Sequence, residues 1–236
     1  MERNFRLESL NLGSLKYFEE KMMELFDWET FRATPLSRDP YEHLIVNGFV
    51  TSEALQKIND DYPAIQDTGS FAVESLRFGS GFKLLVDALE SDQFRRAFEE
   101  KFHVDLAGRP TTITVRKRCS GSDGKIHTDS VGKIITILIY LNPAWDDSGG
   151  RLRLLRAKDI EEVAAEVAPS QGNLVAFLRS DHSWHGHLPF SGERRVVQFN
   201  WVTNKRNQKI VSLRHRLSAS VKHLLRHAKA STAQQG

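Results

Sequence analysis

The chain has 236 residues, 40% of them hydrophobic, with a single cysteine and a formal net charge of +3. That length buries a core without disulfide or metal staples, and one cysteine excludes an internal disulfide and fits a reducing compartment. The opening MERNFRLESL has mixed charge, unlike a signal peptide, and the longest apolar run, Ile134 to Leu141, is too short to span a bilayer as a helix, so the expected location is cytoplasmic.

Residues 12–32 carry Leu15, Phe18, Met22, Leu25 and Phe26 at helical spacing, ended by Pro35 and Pro40. His43 to Val50 reads as a short strand, and Thr51 as the cap of a helix running to about Tyr62. A single amphipathic helix is expected over 82–103. After Pro110 the pattern turns to strands: Thr111 to Arg118, Lys133 to Asn142, Arg151 to Leu155, Gly172 to Phe177 and Arg194 to Thr203. Helices first and many short strands later predict a mainly β sandwich or barrel with helices packed outside. A helix is expected from about Ser212 to Lys229. The division is an N-terminal helical extension (1–40), a barrel domain (41–203) and a basic helical tail (204–236).

The charge is uneven. Residues 204–236 hold eight basic residues and no acid, which leaves 25 basic against 30 acidic residues in 1–203. The tail is thus +8 on a body of −5. Leu213, Leu217, Val221, Leu224, Leu225 and Ala228 form an apolar stripe opposite the basic face. The stripe fits packing on the barrel; the basic face fits an anionic surface such as membrane headgroups, which would make the protein peripheral to a membrane. The tail has no aromatic interleaving, which argues against nucleic acid.

A 2-His-1-carboxylate set holds non-haem Fe(II) on one face and leaves positions open for co-substrate and O2. His127 and Asp129 stand two apart, so on a strand they point to one side. Alone, His-Thr-Asp is a weak signal, equally a solvated turn. The segment from Asp181 to Trp201 adds three distal candidates, His182, His185 and His187, and then Arg194 and Arg195. By alternation Arg195 shares a face with Val197, Phe199 and Trp201, apolar enough to line a barrel interior, and Arg194 shares the more polar face with Val196, Gln198 and Asn200.

The ordered set His127-Thr128-Asp129, Tyr140-Leu141-Asn142-Pro143-Ala144-Trp145, Gly149-Gly150-Arg151-Leu152, Gly172 to Phe177, His185, Pro189, Arg195 and Trp201 resembles the prolyl-4-hydroxylase-like branch of the Fe(II)/2-oxoglutarate dioxygenases. The resemblance implies a double-stranded β-helix (jelly-roll) of two four-stranded sheets, with Fe(II), 2-oxoglutarate and O2 as cofactor and co-substrates and ascorbate as a candidate accessory. It implies hydroxylation of an unactivated C–H bond with release of succinate and CO2. His127, Asp129 and His185 become the implied ligands, because Pro189 follows His185 at the family's interval. His187 stands where relatives carry an apolar residue. For the 2-oxoglutarate carboxylate the alternation and the interval to Trp201 make Arg195 the expected residue, against which stands the Gly192-x-Arg194 spacing of part of the family. Tyr140 is expected to donate to the same carboxylate, with Leu152 and Thr136 lining its slot. Trp145 and Trp184 are expected to pack beside the site. Arg118 replaces a tyrosine that relatives place near substrate, so a prolyl substrate is not implied. A small molecule, a sugar or glycolipid, and a protein side chain all stay open, with specificity expected in loops 64–81, 119–126 and 156–171. A cupin-like sugar-binding protein or isomerase, a zinc hydrolase and a non-catalytic module led by the basic tail are the rival readings.

Overall fold

The computed structural model describes residue 22 and residues 24–209. The N-terminal stretch of the helix expected over 12–32, and the helix expected over 212–229 with its apolar stripe, lie outside the described residues. The helices are α1 (Trp28–Ala33), α2 (Ser52–Asp60), α3 (Ser80–Leu89) and α4 (Asp92–Phe102). The strands are β1 (His43–Val46), β2 (Phe71–Ala72), β3 (Thr111–Cys119), β4 (Lys133–Tyr140), β5 (Leu152–Leu155), β6 (Val163–Val167), β7 (Leu174–Leu178), β8 (His185–Gly186) and β9 (Gly192–Val202).

Local chemistry sets the helix starts. Thr51 accepts from the Ala54 N–H and Asp27 from the Thr30 N–H, each satisfying an orphan donor of the first turn. The expected helix over 82–103 is two helices. Ser91 is extended, and its hydroxyl accepts from Phe94 N–H to start α4, with two residues between the end of α3 and the start of α4. Both halves keep an apolar stripe, so periodicity ran through the break unseen.

Two antiparallel sheets form the body, ordered β1-β7-β4-β9-β3-β2 and β6-β5-β8. This is the jelly-roll expected, but the sheets are not four-stranded: β1 and β2, from the N-terminal half, widen the larger one. The smaller sheet continues through a bridge between His127 and His185. β6 lies inside the segment 156–171 that had read as loop, because only Val163 and Val167 give it an apolar rhythm.

The larger sheet is buried on both faces. Towards the helices, Phe199 and Trp201 pack against Phe94 at centroid distances of 5.7 and 6.0 Å. Val197, Ile113 and Ile137 belong to this helix-side core. Towards the smaller sheet, Val196, Tyr140 and Phe177 pack with Leu152 and Leu154. This corrects the expectation for β9. Its period-two alternation is as expected, but the more apolar face meets the helices and the more polar face looks into the barrel. Large aromatics are what a helix layer needs; the barrel interior holds a polar cavity.

Candidate metal centre and carboxylate slot

His127 and His185 face each other across the end of the barrel. Each N–H donates to the other's carbonyl at 3.0 Å, and the rings stand 4.3 Å apart. Asp129, two residues on, completes a group whose ligand atoms all lie within 4.8 Å of one another. His182, by contrast, is exposed.

Each histidine is oriented by its Nδ1. In His127 this atom lies 2.8 Å from the Lys125 carbonyl, and in His185 it lies 2.9 Å from the Ser183 carbonyl. A carbonyl only accepts, so the proton sits on Nδ1 and the Nε2 lone pair is available to a metal. Burial lowers His185 to about 4, against the pull of Asp129, so the imidazole is neutral at physiological pH. Burial by itself would raise Asp129, but Lys133, His185 and the hydrogen bonds from Lys133 and Thr136 outweigh it and hold the carboxyl at about 2. Two imidazoles and one carboxylate on a single side suit a divalent metal that keeps open positions.

A cavity of about 140 Å³ runs inward from this group, lined among others by Thr136, Leu152, His187, Arg194, Val196 and Gln198. Arg194 is 5% exposed. Its Nε donates to the Gly150 carbonyl at 2.8 Å, and its guanidinium lies 5.2 Å from the Tyr140 ring. Gly150 has φ +71°, and a Cβ there would come within 2.8 Å of Trp145, which explains this glycine. No carboxylate of the described residues pairs with Arg194. The Tyr140 hydroxyl beside it is likewise buried with no hydrogen-bond partner among the described residues; burial raises its pKa, opposed by Arg194. A buried cation and a buried hydroxyl, both short of an acceptor, form a slot for a carboxylate. The residues present therefore fit both a metal and a dicarboxylate.

Arg195 is not in this cavity. It pairs with Glu193 at 2.6 Å, donates to Asn59 at 2.7 Å and lies over the Tyr62 ring at 5.4 Å. There it lines a separate cleft of about 1070 Å³ on the helix side, with Asn47, Gln56 and Asn173. The expectation of Arg195 in the slot is therefore corrected: neighbouring strand residues point to opposite faces, and Arg194 has the inward one. The Gly192-x-Arg194 spacing was the sequence signal for it.

A second correction concerns β3. Arg118 is exposed, and Arg116 lines the cavity instead, because a register shift between the two breaks the alternation. Arg116 pairs with Asp123 at 2.8 Å. His187 faces the cavity with its Nδ1 2.8 Å from the Leu188 carbonyl, and burial followed by Arg194 lowers it to about 4. Gly124, at φ +86°, lets the 120–126 loop lie against that ring; a Cβ there would meet it at 2.4 Å. Of the loops expected to carry specificity, 64–81 contributes Ser70 and 119–126 contributes Gly124, whereas 156–171 contributes nothing to the cavity lining. Trp145 packs on Phe190, and Trp184 meets Lys158; neither lines the cavity. Lys133, ion-paired to Asp129 at 2.7 Å, was not singled out by sequence, since only its i,i+4 spacing marks it.

The lowered histidines give a pH dependence. An unfolded histidine takes its proton near pH 6.5, whereas folded His185 and His187 do so near 4. Between those values the unfolded chain binds more protons, so metal-free protein loses stability as pH falls from 6.5 to 4, by up to roughly 1.4 kcal/mol per pH unit for each buried histidine. Asp129 acts in the same direction over a lower window: its stabilisation is complete above 3.8 and is lost as pH falls towards 2. Urea midpoints at pH 7 and pH 5 check this, and equal midpoints would contradict it.

Residues 113–203 match the family described as the 2OG-Fe(II) oxygenase superfamily. A comparison with curated proteins finds no match. Among solved structures, the chain is similar to a prolyl 4-hydroxylase of Phytophthora capsici, with 15% identity, a TM-score of 0.50, and coverage of 86% of this chain and 70% of that one. A Pseudomonas putida prolyl-4-hydroxylase gives 19% identity and a TM-score of 0.48, covering 69% of this chain and 88% of that one. A viral collagen prolyl hydroxylase from Paramecium bursaria Chlorella virus-1 gives 16% and 0.49, covering 68% and 96%.

Proposed function

We propose that the chain, whose residues 113–203 match the 2OG-Fe(II) oxygenase superfamily, hydroxylates an unactivated C–H bond with 2-oxoglutarate as co-substrate, using His127, Asp129 and His185 to hold the iron. Arg194 and the Tyr140 hydroxyl bind the distal carboxylate of 2-oxoglutarate, and Leu152 and Thr136 bound its chain. Bound Fe(II) supplies the redox chemistry that couples decarboxylation of 2-oxoglutarate to hydroxylation: one O2 is consumed, with one oxygen atom entering substrate and the other succinate, and CO2 is released. The protein's own residues do the rest. Backbone carbonyls fix the two imidazoles, Lys133 and Thr136 fix the carboxylate, and a buried guanidinium aligns the co-substrate by its far end.

The observation that carries this reading is Arg194, a cation buried without a counter-ion among the described residues, in the same cavity as the His-Asp-His group. A cupin-like sugar site or a zinc hydrolase shares the metal donors but has no use for that unpaired charge. The division into 1–40, 41–203 and 204–236 is kept as part of the proposal, with the basic tail assigned to contact with an anionic surface. No helix among the described residues is long and apolar enough to cross a membrane. Substrate stays at the level of an organic molecule or side chain small enough to reach the cavity mouth.

The test is anaerobic titration of Fe(II)-loaded protein with 2-oxoglutarate, read by the visible charge-transfer band of the chelate. The band is expected in the wild type and lost in His185→Ala. A well-folded, iron-bound protein without the band would overturn the reading and direct the search to sugar ligands.

A further inference from the structure

We propose that Lys133 is a resident counter-ion of the Asp129 carboxylate and that its charge sets how tightly the site holds a divalent cation. The inference rests on the reading above that Asp129 is a metal ligand.

Lys133 opens β4 four residues after Asp129, and its Nζ lies 2.7 Å from Oδ1, with the two side chains only 9% and 7% exposed. The other carboxylate oxygen accepts from Thr136 Oγ1 at 2.5 Å. Arg179 is nearby, but its Nε donates to the Asp129 backbone carbonyl at 3.1 Å and its charge is taken by Asp181 at 2.7 Å. Among the described residues, Lys133 is therefore the cation that pairs with the ligand carboxylate.

An unpaired carboxylate buried to this degree would carry a heavy desolvation penalty. Lys133 relieves it, so the site is assembled and charged before any metal arrives. A carboxylate offers about four lone-pair positions; Lys133 and Thr136 use two, so a metal bond does not require the lysine to leave. The metal must then share the carboxylate with a fixed positive charge a few ångströms away, in surroundings that screen poorly. Pre-assembly is gained at the expense of affinity: the site stays ordered when empty and holds its metal less tightly than the same three ligands would alone.

The experiment is an anaerobic titration of the full-length protein with Mn(II), following free Mn(II) by its electron paramagnetic resonance signal. Lys133→Gln keeps a hydrogen-bond donor and removes the charge, and is expected to bind Mn(II) at least about tenfold more tightly. Lys133→Arg keeps the charge and should stay within about threefold of wild type. Equal or weaker binding by Lys133→Gln overturns the inference, since the lysine would then be merely structural. The rise in melting temperature on adding Mn(II) gives a second reading that tolerates a partly unfolded metal-free variant; it should be larger in Lys133→Gln than in wild type, and an equal or smaller rise counts against the proposal. Asp129→Ala keeps the two failures apart: if it binds Mn(II) as wild type does, the ligand assignment itself falls, whatever Lys133 does.

Discussion

Asp129→Ala is expected to lower succinate formation by at least about a thousandfold, because it removes the only charged donor of the proposed ligand set. The structure adds a second consequence that a ligand list would miss. Lys133 pairs with Asp129 in a nearly buried position, so removing the carboxylate leaves a buried ammonium without a partner, a change that costs about 3–5 kcal/mol. His185→Ala should lose turnover to a similar extent without orphaning a charge. The double variant Asp129→Ala/Lys133→Met should recover much of the stability and none of the activity. Succinate assays with urea unfolding on the same samples separate the two effects. Wild-type turnover in folded Asp129→Ala would remove it from the metal site.

The two neighbouring arginines give the second large contrast. Arg194→Ala should raise the KM for 2-oxoglutarate on the order of a hundredfold, the loss of a charge-assisted, bidentate contact. Its urea midpoint without co-substrate should stay near wild type, since the charge it removes has no carboxylate partner among the described residues. Arg195→Ala should leave that KM within about threefold and instead lower stability, because Arg195 ties β9 to α2 through Asn59 and lies over Tyr62. Steady-state kinetics in 2-oxoglutarate with paired unfolding curves decide it. The reverse pattern would return the co-substrate to Arg195 and discard the carboxylate slot as built here.

Much of this was legible in the chain. His127 and Asp129 stand at the spacing that puts two side chains on one side of a strand, and His185 was singled out by the interval to Pro189 that the family resemblance implies. The alternation along β9 was equally legible, but not its sense. Both faces of that strand are buried, one under the helices and one over the cavity, and burial of either selects apolar residues. Ranking the faces by hydrophobicity therefore put Arg195 inside, when Phe199 and Trp201 were in fact marking the helix layer. The register shift in β3 likewise exchanged Arg118 for Arg116, since a bulge is invisible to period-two counting.

The sequence by itself determined the class of fold and the succession of most of its strands, because hydrophobic periodicity marks them, and it nominated the three candidate metal ligands through the ordered motif set that carries the family resemblance. Tertiary structure decided which arginine enters the cavity, that its charge and the Tyr140 hydroxyl have no partner among the described residues, and that Lys133 reaches the carboxylate of Asp129. Those facts depend on which of two buried faces meets which layer, and on contacts such as the Arg194 guanidinium over the Tyr140 ring between strands β9 and β4. Only the packing of the helices on the larger sheet, with the smaller sheet closing over the other face, settles them.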